Sequence, residues 1–125
     1  MNYIKVNLGG KERGAKLGLG FLERVQKEEN VTLEEIFSRV STATLLYHSL
    51  AFNVERSKET LDFDKYDVFD WIDEVGLNHT TILDFQIAFF QSFTTHLDEK
   101  GVEAMGDVVK ELEKKRSPQK RVAKK

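Results

Sequence analysis

Apolar and polar residues alternate at the start of the chain, over residues 3–8, which is typical of a β-strand with one buried face. Gly9 and Gly10 follow this strand, and two glycines suit the positive φ angles of a tight two-residue turn. Residues 11–17 are then expected to form the returning strand, with Gly14 as a bulge in it. The pattern predicts an N-terminal β-hairpin over about residues 3–17.

Apolar residues then recur at every third or fourth position, which predicts two helices directly after the hairpin. The first is expected to begin near Phe21 and to stop at Asn30. The second is expected over residues 33–40. Thr32 and Glu35 can form a capping box at its start, because the hydroxyl and the carboxylate each accept a hydrogen bond from the other residue's backbone N–H.

The next two predicted helices differ in how much of their circumference is apolar. Ser41 can cap the first, residues 42–54, which is apolar over most of its circumference and so belongs in the core or against a partner. The second, residues 64–75, combines an apolar stripe with an acidic one. Gly76 provides its natural stop.

The fifth predicted helix, residues 80–97, is the most aromatic, and its cap is expected near Asn78 or Thr80. Its apolar residues form two neighbouring stripes, one of Ile82, Phe85, Phe89 and Phe93 and the other of Leu83, Ile87 and Phe90. A sixth helix over about residues 101–116 carries a stripe of Val102, Met105, Val109 and Leu112.

These elements predict a mainly α fold, a small domain of five to six helices with an N-terminal β-hairpin. We expect residues 1–109 to form a single domain. Residues 110–125 are expected to be the end of the last helix and a basic, flexible tail, because few apolar residues remain there.

Charge is distributed unevenly along the chain. The formal net charge is −2, from 19 Lys and Arg against 21 Asp and Glu. Residues 110–125 hold eight basic and two acidic residues, a charge of +6, which leaves −8 on residues 1–109. The tail has no aromatic residue to stack on bases, and the acidic body opposes a nucleic acid duplex. Binding to nucleic acid is therefore not expected, and an acidic protein partner is at least as good an explanation of the basic tail.

The chain contains no cysteine, which excludes disulfides, thiol nucleophiles and cysteine-based metal sites. The N-terminus lacks the apolar run of a signal peptide, and nowhere do about 18 apolar residues follow one another, as a membrane-spanning helix requires. We expect a soluble intracellular protein without membrane contact.

Glycines concentrate near the N-terminus, where five of the eight lie within twelve residues. Gly9 and Gly14 have the separation of a P-loop, but the lysine and the hydroxyl residue that should follow are not in place. A dinucleotide-binding fingerprint starting at Gly18 and Gly20 also fails, because Glu23 stands where the third glycine is needed. The glycines are better interpreted as turn and packing positions.

The polar residues form no recognised catalytic or metal-binding motif. The three histidines are His48, His79 and His96. None has a second histidine three or four positions away. The acids between residues 62 and 74 fail the EF-hand pattern, since Asp67 and Asp73 stand where glycine and glutamate are required. We therefore predict no cofactor, no metal, no catalytic residue and no enzymatic activity.

Apolar bulk on the fifth helix exceeds what a small bundle requires. For each residue alone the simplest interpretation is core packing, but together they indicate a self-association face or a groove for another chain's apolar segment. The candidate partner-binding residues are Phe85, Phe89, Phe90, Phe93, Lys114, Lys115, Arg116, Lys120 and Arg121.

Several local patterns occur in an order that is similar to a known family. They are the hairpin sequence IKVNLGGKER, the glycine-bracketed residues 18–23, the capping box at 32–35, the apolar TLLYHSLAF, and the acidic helix ending in Val75 and Gly76. In this order they resemble the tail assembly chaperones of long-tailed bacteriophages and prophages. The resemblance covers roughly residues 3–100 and includes no catalytic signature.

The resemblance implies a non-enzymatic role in the cytoplasm of a bacterial host. Such chaperones bind the tape measure protein, keep it soluble, help tail tube subunits polymerise around it, and are absent from the mature virion. A longer product made by ribosomal frameshifting recruits the tube protein, and this chain would be the short form. We therefore expect the tape measure protein, the tail tube protein and further copies of this chain as partners. The alternatives are another phage structural or adaptor protein and a nucleic-acid-binding regulator that uses the basic tail.

Overall fold

A computed structural model describes residues 2–94, 103 and 106–115 of the chain. The elements are β1 (Tyr3–Leu8), β2 (Lys11–Lys16), α1 (Leu19–Glu29), α2 (Ile36–Arg39), α3 (Thr42–Arg56), α4 (Lys65–Val75) and α5 (Thr80–Phe93). Residues 106–115 are also helical. The predicted mainly α fold with an N-terminal β-hairpin is confirmed.

The hairpin forms where the alternation placed it. β1 and β2 pair antiparallel in an unbroken register that runs from Tyr3 opposite Lys16 to Leu8 opposite Lys11. Gly9 and Gly10 make the turn with φ angles of 63° and 82°, which side chains other than glycine rarely adopt. The strands thereby direct their apolar side chains to one face, against the helices.

The prediction of a bulge at Gly14 is wrong. Gly14 lies directly opposite Lys5 in the continuous register. A glycine is needed at this position because side chains of β1 and α3 approach it closely. A Cβ there would collide with the Tyr3 ring and lie 2.6 Å from Asn53 Nδ2. The residue makes room for neighbours and leaves the pairing intact.

Two helices differ from the sequence-based expectation at their starts. α1 begins at Leu19, two residues before Phe21, and ends as predicted with Asn30 in the left-handed conformation. α2 begins at Ile36 and not at residue 33. The hydrogen bonds of the expected capping box are present, 2.9 Å from Thr32 N to Glu35 Oε1 and 3.3 Å in the reverse direction, but they close a turn before the helix.

The remaining caps mostly agree with the sequence. Ser41 Oγ accepts a hydrogen bond from Thr44 N at the start of α3, and Gly76 follows the last residue of α4. The cap of α5 is neither Asn78 nor Thr80, because His79 takes this position and its Nδ1 accepts from Thr81 N at 3.2 Å. Residues 95–97, the predicted end of this helix, lie outside the described part of the chain.

One main core lies between the hairpin, α1, α3, α4 and α5. It includes the side chains of Val6, Leu8, Phe21, Val25, Leu46, Leu50, Val68, Phe85, Phe89 and Phe93. The rings pack edge to face, as between Phe21 and Phe89 with centroids 5.9 Å apart. Leu83 and Leu112 are also buried but lie outside this cluster.

Candidate partner-binding groove

Three of the four phenylalanines predicted to bind a partner are core residues. Phe85, Phe89 and Phe93 are at most 2% exposed. The expectation that they form an exposed face is therefore wrong, because the hydrophobic effect buries this stripe of α5 against the rest of the domain. Phe90 is half-buried and stacks on Phe37 with centroids 5.3 Å apart, so it closes the edge of the same core.

The neighbouring face of α5 lies beside a groove outside that core. Leu83 and Gln86 contribute from α5, and the start of α3, the turn between α4 and α5 and the helical residues 106–115 form the other walls. The groove has a volume of about 360 Å³. It is therefore at the small end of the range of about 300–1,000 Å³ for ligand pockets.

Leucines supply the apolar lining of the groove in the described part of the chain. Leu83 is 1% exposed, and Leu112, from residues 106–115, is 7% exposed. Leu77 belongs to the turn before α5 and is 58% exposed, so it places apolar surface at the rim of the groove. Ala43 adds a small apolar surface at the start of α3. The lining leaves apolar surface in contact with solvent.

Hydrogen bonds within the chain engage several polar groups of the groove. Gln86 Nε2 donates to Thr42 Oγ1 at 3.0 Å, which links α5 to the first turn of α3. Ser41 Oγ accepts from Thr44 N at 3.2 Å and donates to Thr44 Oγ1 at 2.9 Å. Because these groups are occupied, the capacity of the groove to bind another molecule resides mainly in its aliphatic surface.

The predicted basic residues divide into three groups. Lys115 lines the groove. Lys114 is exposed, with Nζ 3.7 Å from Glu111 Oε1 one turn earlier, and does not line the groove. Arg116, Lys120 and Arg121 lie outside the described residues, as does His96. The structure thus brings one predicted cation to the groove.

A partly buried polar cluster around His48 joins α1, α3 and α4, and none of its residues lines the groove. Arg24 Nε donates to His48 Nδ1 at 3.2 Å, so the other ring nitrogen carries the hydrogen and donates to Glu29 Oε2 at 2.8 Å. Arg24 also pairs with Glu55, and Lys65 Nζ lies 3.7 Å from Glu29 Oε2. Burial lowers the pKa of His48 below its ordinary value, and the bond to Glu29 offsets part of this shift. A neutral histidine with both nitrogens bonded fits a structural link between helices.

Some of the acids considered as candidate metal ligands have a structural role instead. Asp64 and Asp67 form a reciprocal capping box at the start of α4. The Arg13 guanidinium lies 4.0 Å from the centre of the Trp71 ring, and Trp71 packs against Gly9 of the hairpin turn. Within residues 2–94, 103 and 106–115, no three His, Asp or Glu side chains are grouped so that they could hold a metal ion. No helix in the same part of the chain combines the length and apolar content needed to cross a bilayer.

The sequence signal for the groove lies in leucines and not in the phenylalanines of α5. Leu83 belongs to the second apolar stripe of α5, and Leu112 to the stripe of the last predicted helix. Leu77 follows the stop at Gly76, where a polar residue would be usual. An apolar residue in a turn beside a second apolar helix face is the pattern that indicates this surface.

Comparison with known protein families, with curated proteins and with solved structures gives no match to this chain. The groove is therefore interpreted from its own residues.

Proposed function

We propose that this protein is a non-enzymatic binding protein that holds the apolar stripe of a partner helix, and that it serves as a tail assembly chaperone for the tape measure protein of a long-tailed phage. The groove beside Leu77, Leu83 and Leu112 is the observation that carries the first half of this proposal. The order of hairpin, glycine-bracketed first helix, capped turn and apolar third helix supports the second half, through its resemblance to those chaperones.

The chemistry of the groove favours a helix as its ligand. A helix presents aliphatic side chains at every third or fourth position and satisfies its own backbone hydrogen bonds, so it can fill an aliphatic groove without leaving polar groups unpaired. A groove of about 360 Å³ has room for only a small part of such a stripe. Each contact is therefore weak, and a long client requires several copies of the chain along its length.

Weak, repeated contacts suit a chaperone whose client must be released. A tape measure protein carries a long apolar stripe that aggregates if it is bare. A coat of several domains can cover it and still dissociate one domain at a time when tube subunits arrive. On this proposal the chain acts in the host cytoplasm, and a longer form of it recruits the tail tube protein.

Co-expression with the tape measure protein of the same phage tests the proposal. Leu77→Asp introduces a charge at the rim of the groove, and Leu19→Asp is the matched control, since Leu19 is 57% exposed and does not line the groove. We expect the wild-type chain and Leu19→Asp to keep the tape measure soluble and to co-purify with it. Leu77→Asp should reduce the recovered complex by about tenfold or more, because a desolvated charge opposes apolar contact.

Other outcomes would redirect the proposal. Equal recovery with both variants would place the contact outside the groove. Co-purification of portal or tube protein, without any effect on tape measure solubility, would identify an adaptor and contradict the chaperone role. Both substitutions are at exposed positions, where effects on folding stability are usually within about 0.5 kcal/mol, so a difference between them reports binding.

A further inference from the structure

We propose that the groove is one end of a longer apolar track, which continues over Leu77 and Val75 to Trp71 beside the hairpin turn. The occupant that fits this track is an amphipathic helix whose apolar stripe is flanked by Lys or Arg residues. This inference rests on the proposed function, because it assumes that the groove receives a helix from another protein. It adds the extent of the binding surface and the charge of the helix that this surface selects.

Two open clefts connect the groove to the hairpin turn. The first is formed by residues 75–80, has a volume of about 450 Å³, and shares Leu77 and Asn78 with the groove. The second has a volume of about 270 Å³ and lies between the hairpin turn and the end of α4, where it shares Val75 with the first. Because each cleft shares residues with the next, the groove and the two clefts form one continuous surface.

Apolar side chains are exposed along this track. Leu77 is 58% and Val75 38% exposed. Trp71 lies one helical turn before Val75, so the two are on the same side of α4, and the half-buried Trp71 lines the cleft at the hairpin turn. Its ring is held in place by the Arg13 guanidinium, 4.0 Å from the ring centre. A helix laid along the track would cover all three apolar side chains, which adds buried surface to the contact in the groove.

Carboxylates accompany the track along α4. Glu74 lines the cleft at the hairpin turn, and Asp70 lies one helical turn before it, on the same side of α4. Both residues are exposed. Among the described residues, neither of these two acids takes part in an ion pair. The row of Asp70 and Glu74 therefore runs beside the row of Trp71 and Val75 and presents negative charge to a bound helix.

The basic residues along the track leave this negative charge in place. Lys11 lines the same cleft as Glu74, but its Nζ lies 3.6 Å from Asp62 Oδ2. Lys115 lines the groove, at the other end of the track. Unlike charges at the rim of an interface attract each other, while like charges oppose the contact. The α4 part of the track thus favours Lys or Arg beside the apolar stripe of its occupant.

A pair of synthetic helices tests the charge of the occupant. Each peptide has about 18 residues, long enough to form a helix by itself, with Leu at every third or fourth position and either Lys or Glu beside the leucines. Trp71 is the only tryptophan of the chain, so its indole N–H gives one NMR signal. We expect the Lys peptide to shift this signal and the amide signals of Val75 and Leu77 in the full-length chain. The Glu peptide should bind at least about tenfold more weakly.

Variants of the carboxylates separate a specific contact from the general attraction of an acidic domain. Asp70→Asn combined with Glu74→Gln should weaken binding of the Lys peptide by about threefold or more. The matched control combines Glu23→Gln with Glu28→Gln, which changes the net charge equally at exposed positions of α1 outside the track. This control should bind as the wild type does. Equal weakening by both double variants would overturn the proposed charge selection.

A second pair of variants tests the apolar part of the track. Val75→Asn should weaken binding of the Lys peptide at least about threefold, because it removes apolar surface from the contact. Leu61→Asn is the matched control, since Leu61 is 37% exposed and lines neither the groove nor the two clefts. Equal effects of these variants, or no shift of the Trp71 signal with the Lys peptide, would overturn the proposal. A shift of that signal when the free chain is concentrated would place a second copy on the track and would also overturn it.

The tape measure protein separates this inference from the proposed function. Binding of the Lys peptide along the track, without any effect of the chain on tape measure solubility, would refute the proposed function and leave this inference standing. A tape measure complex that is lost with Leu77→Asp but unchanged by Val75→Asn and by the double variant of Asp70 and Glu74 would do the reverse.

Discussion

Two faces of α5 have different surroundings although they lie on one helix of fourteen residues. The face with Phe85, Phe89 and Phe93 is sealed in the main core. The face with Leu83 and Gln86 lies beside a groove whose rim is solvent-exposed at Leu77. The comparison shows that the largest side chains of α5 hold the domain together, while the adjacent face, with smaller side chains, lies beside the groove.

Substitutions on the two faces should have unequal effects on folding. Phe89→Ala should lower the free energy of unfolding by about 3–5 kcal/mol, because it leaves a cavity among several packed rings. Leu83→Ala should lower it by about 2 kcal/mol, since Leu83 lies at the edge of the domain and its surroundings can adjust. Urea denaturation of both variants measures the difference. An equal loss of stability in the two variants would contradict the claim that the phenylalanine face contributes more to folding than the face beside the groove.

The sequence predicted the elements better than it predicted which face of α5 would be inside. Gly9 and Gly10 define the hairpin by their own backbone preferences, and Ser41 and Gly76 mark helix ends through local chemistry. Both stripes of α5 are apolar, so no local property chooses between them. Contacts with residues distant in sequence decide it: Phe21 packs on Phe89 of one stripe, while Phe37 contacts both Phe89 and Phe90.

Other details of the fold depended on tertiary contacts in the same way. Gly14 is required by Asn53 and Tyr3 approaching it, which sequence spacing does not reveal. The capping box at Thr32 was identified correctly, but the helix after it is only four residues long. The groove needs Leu77, Leu83 and Leu112 to meet from three segments. Spacing along the sequence does not reveal that these three leucines line one groove, because their proximity depends on the tertiary fold.

The pH dependence of folding stability tests the buried part of the domain separately from the groove. The folded-state pKa of His48 is lowered by burial, so the unfolded chain binds a proton first as the pH falls below about 6.5. The stability that depends on neutral His48 is therefore complete above that pH and decreases as the pH falls toward the folded-state pKa. Denaturation of the wild type should therefore give a lower free energy of unfolding at pH 5 than at pH 7.5.

The control for this effect is His79, the N-terminal cap of α5. His48→Gln should remove most of the difference between the two pH values, whereas His79→Gln should retain it. The pKa of Glu35 is lowered by hydrogen bonds from Thr32 and Arg39, so its contribution is lost only at more acidic pH. If His48→Gln kept the full pH dependence, the buried cluster of α1 and α3 would not be responsible for it.

Hydrogen exchange of the chain alone and in the presence of the proposed client, a tape measure protein, tests the central claim most directly. We expect the client to protect amides around residues 41–43 and 77–86, which line the groove. Absence of protection, or protection confined to surfaces away from the groove, would contradict the claim.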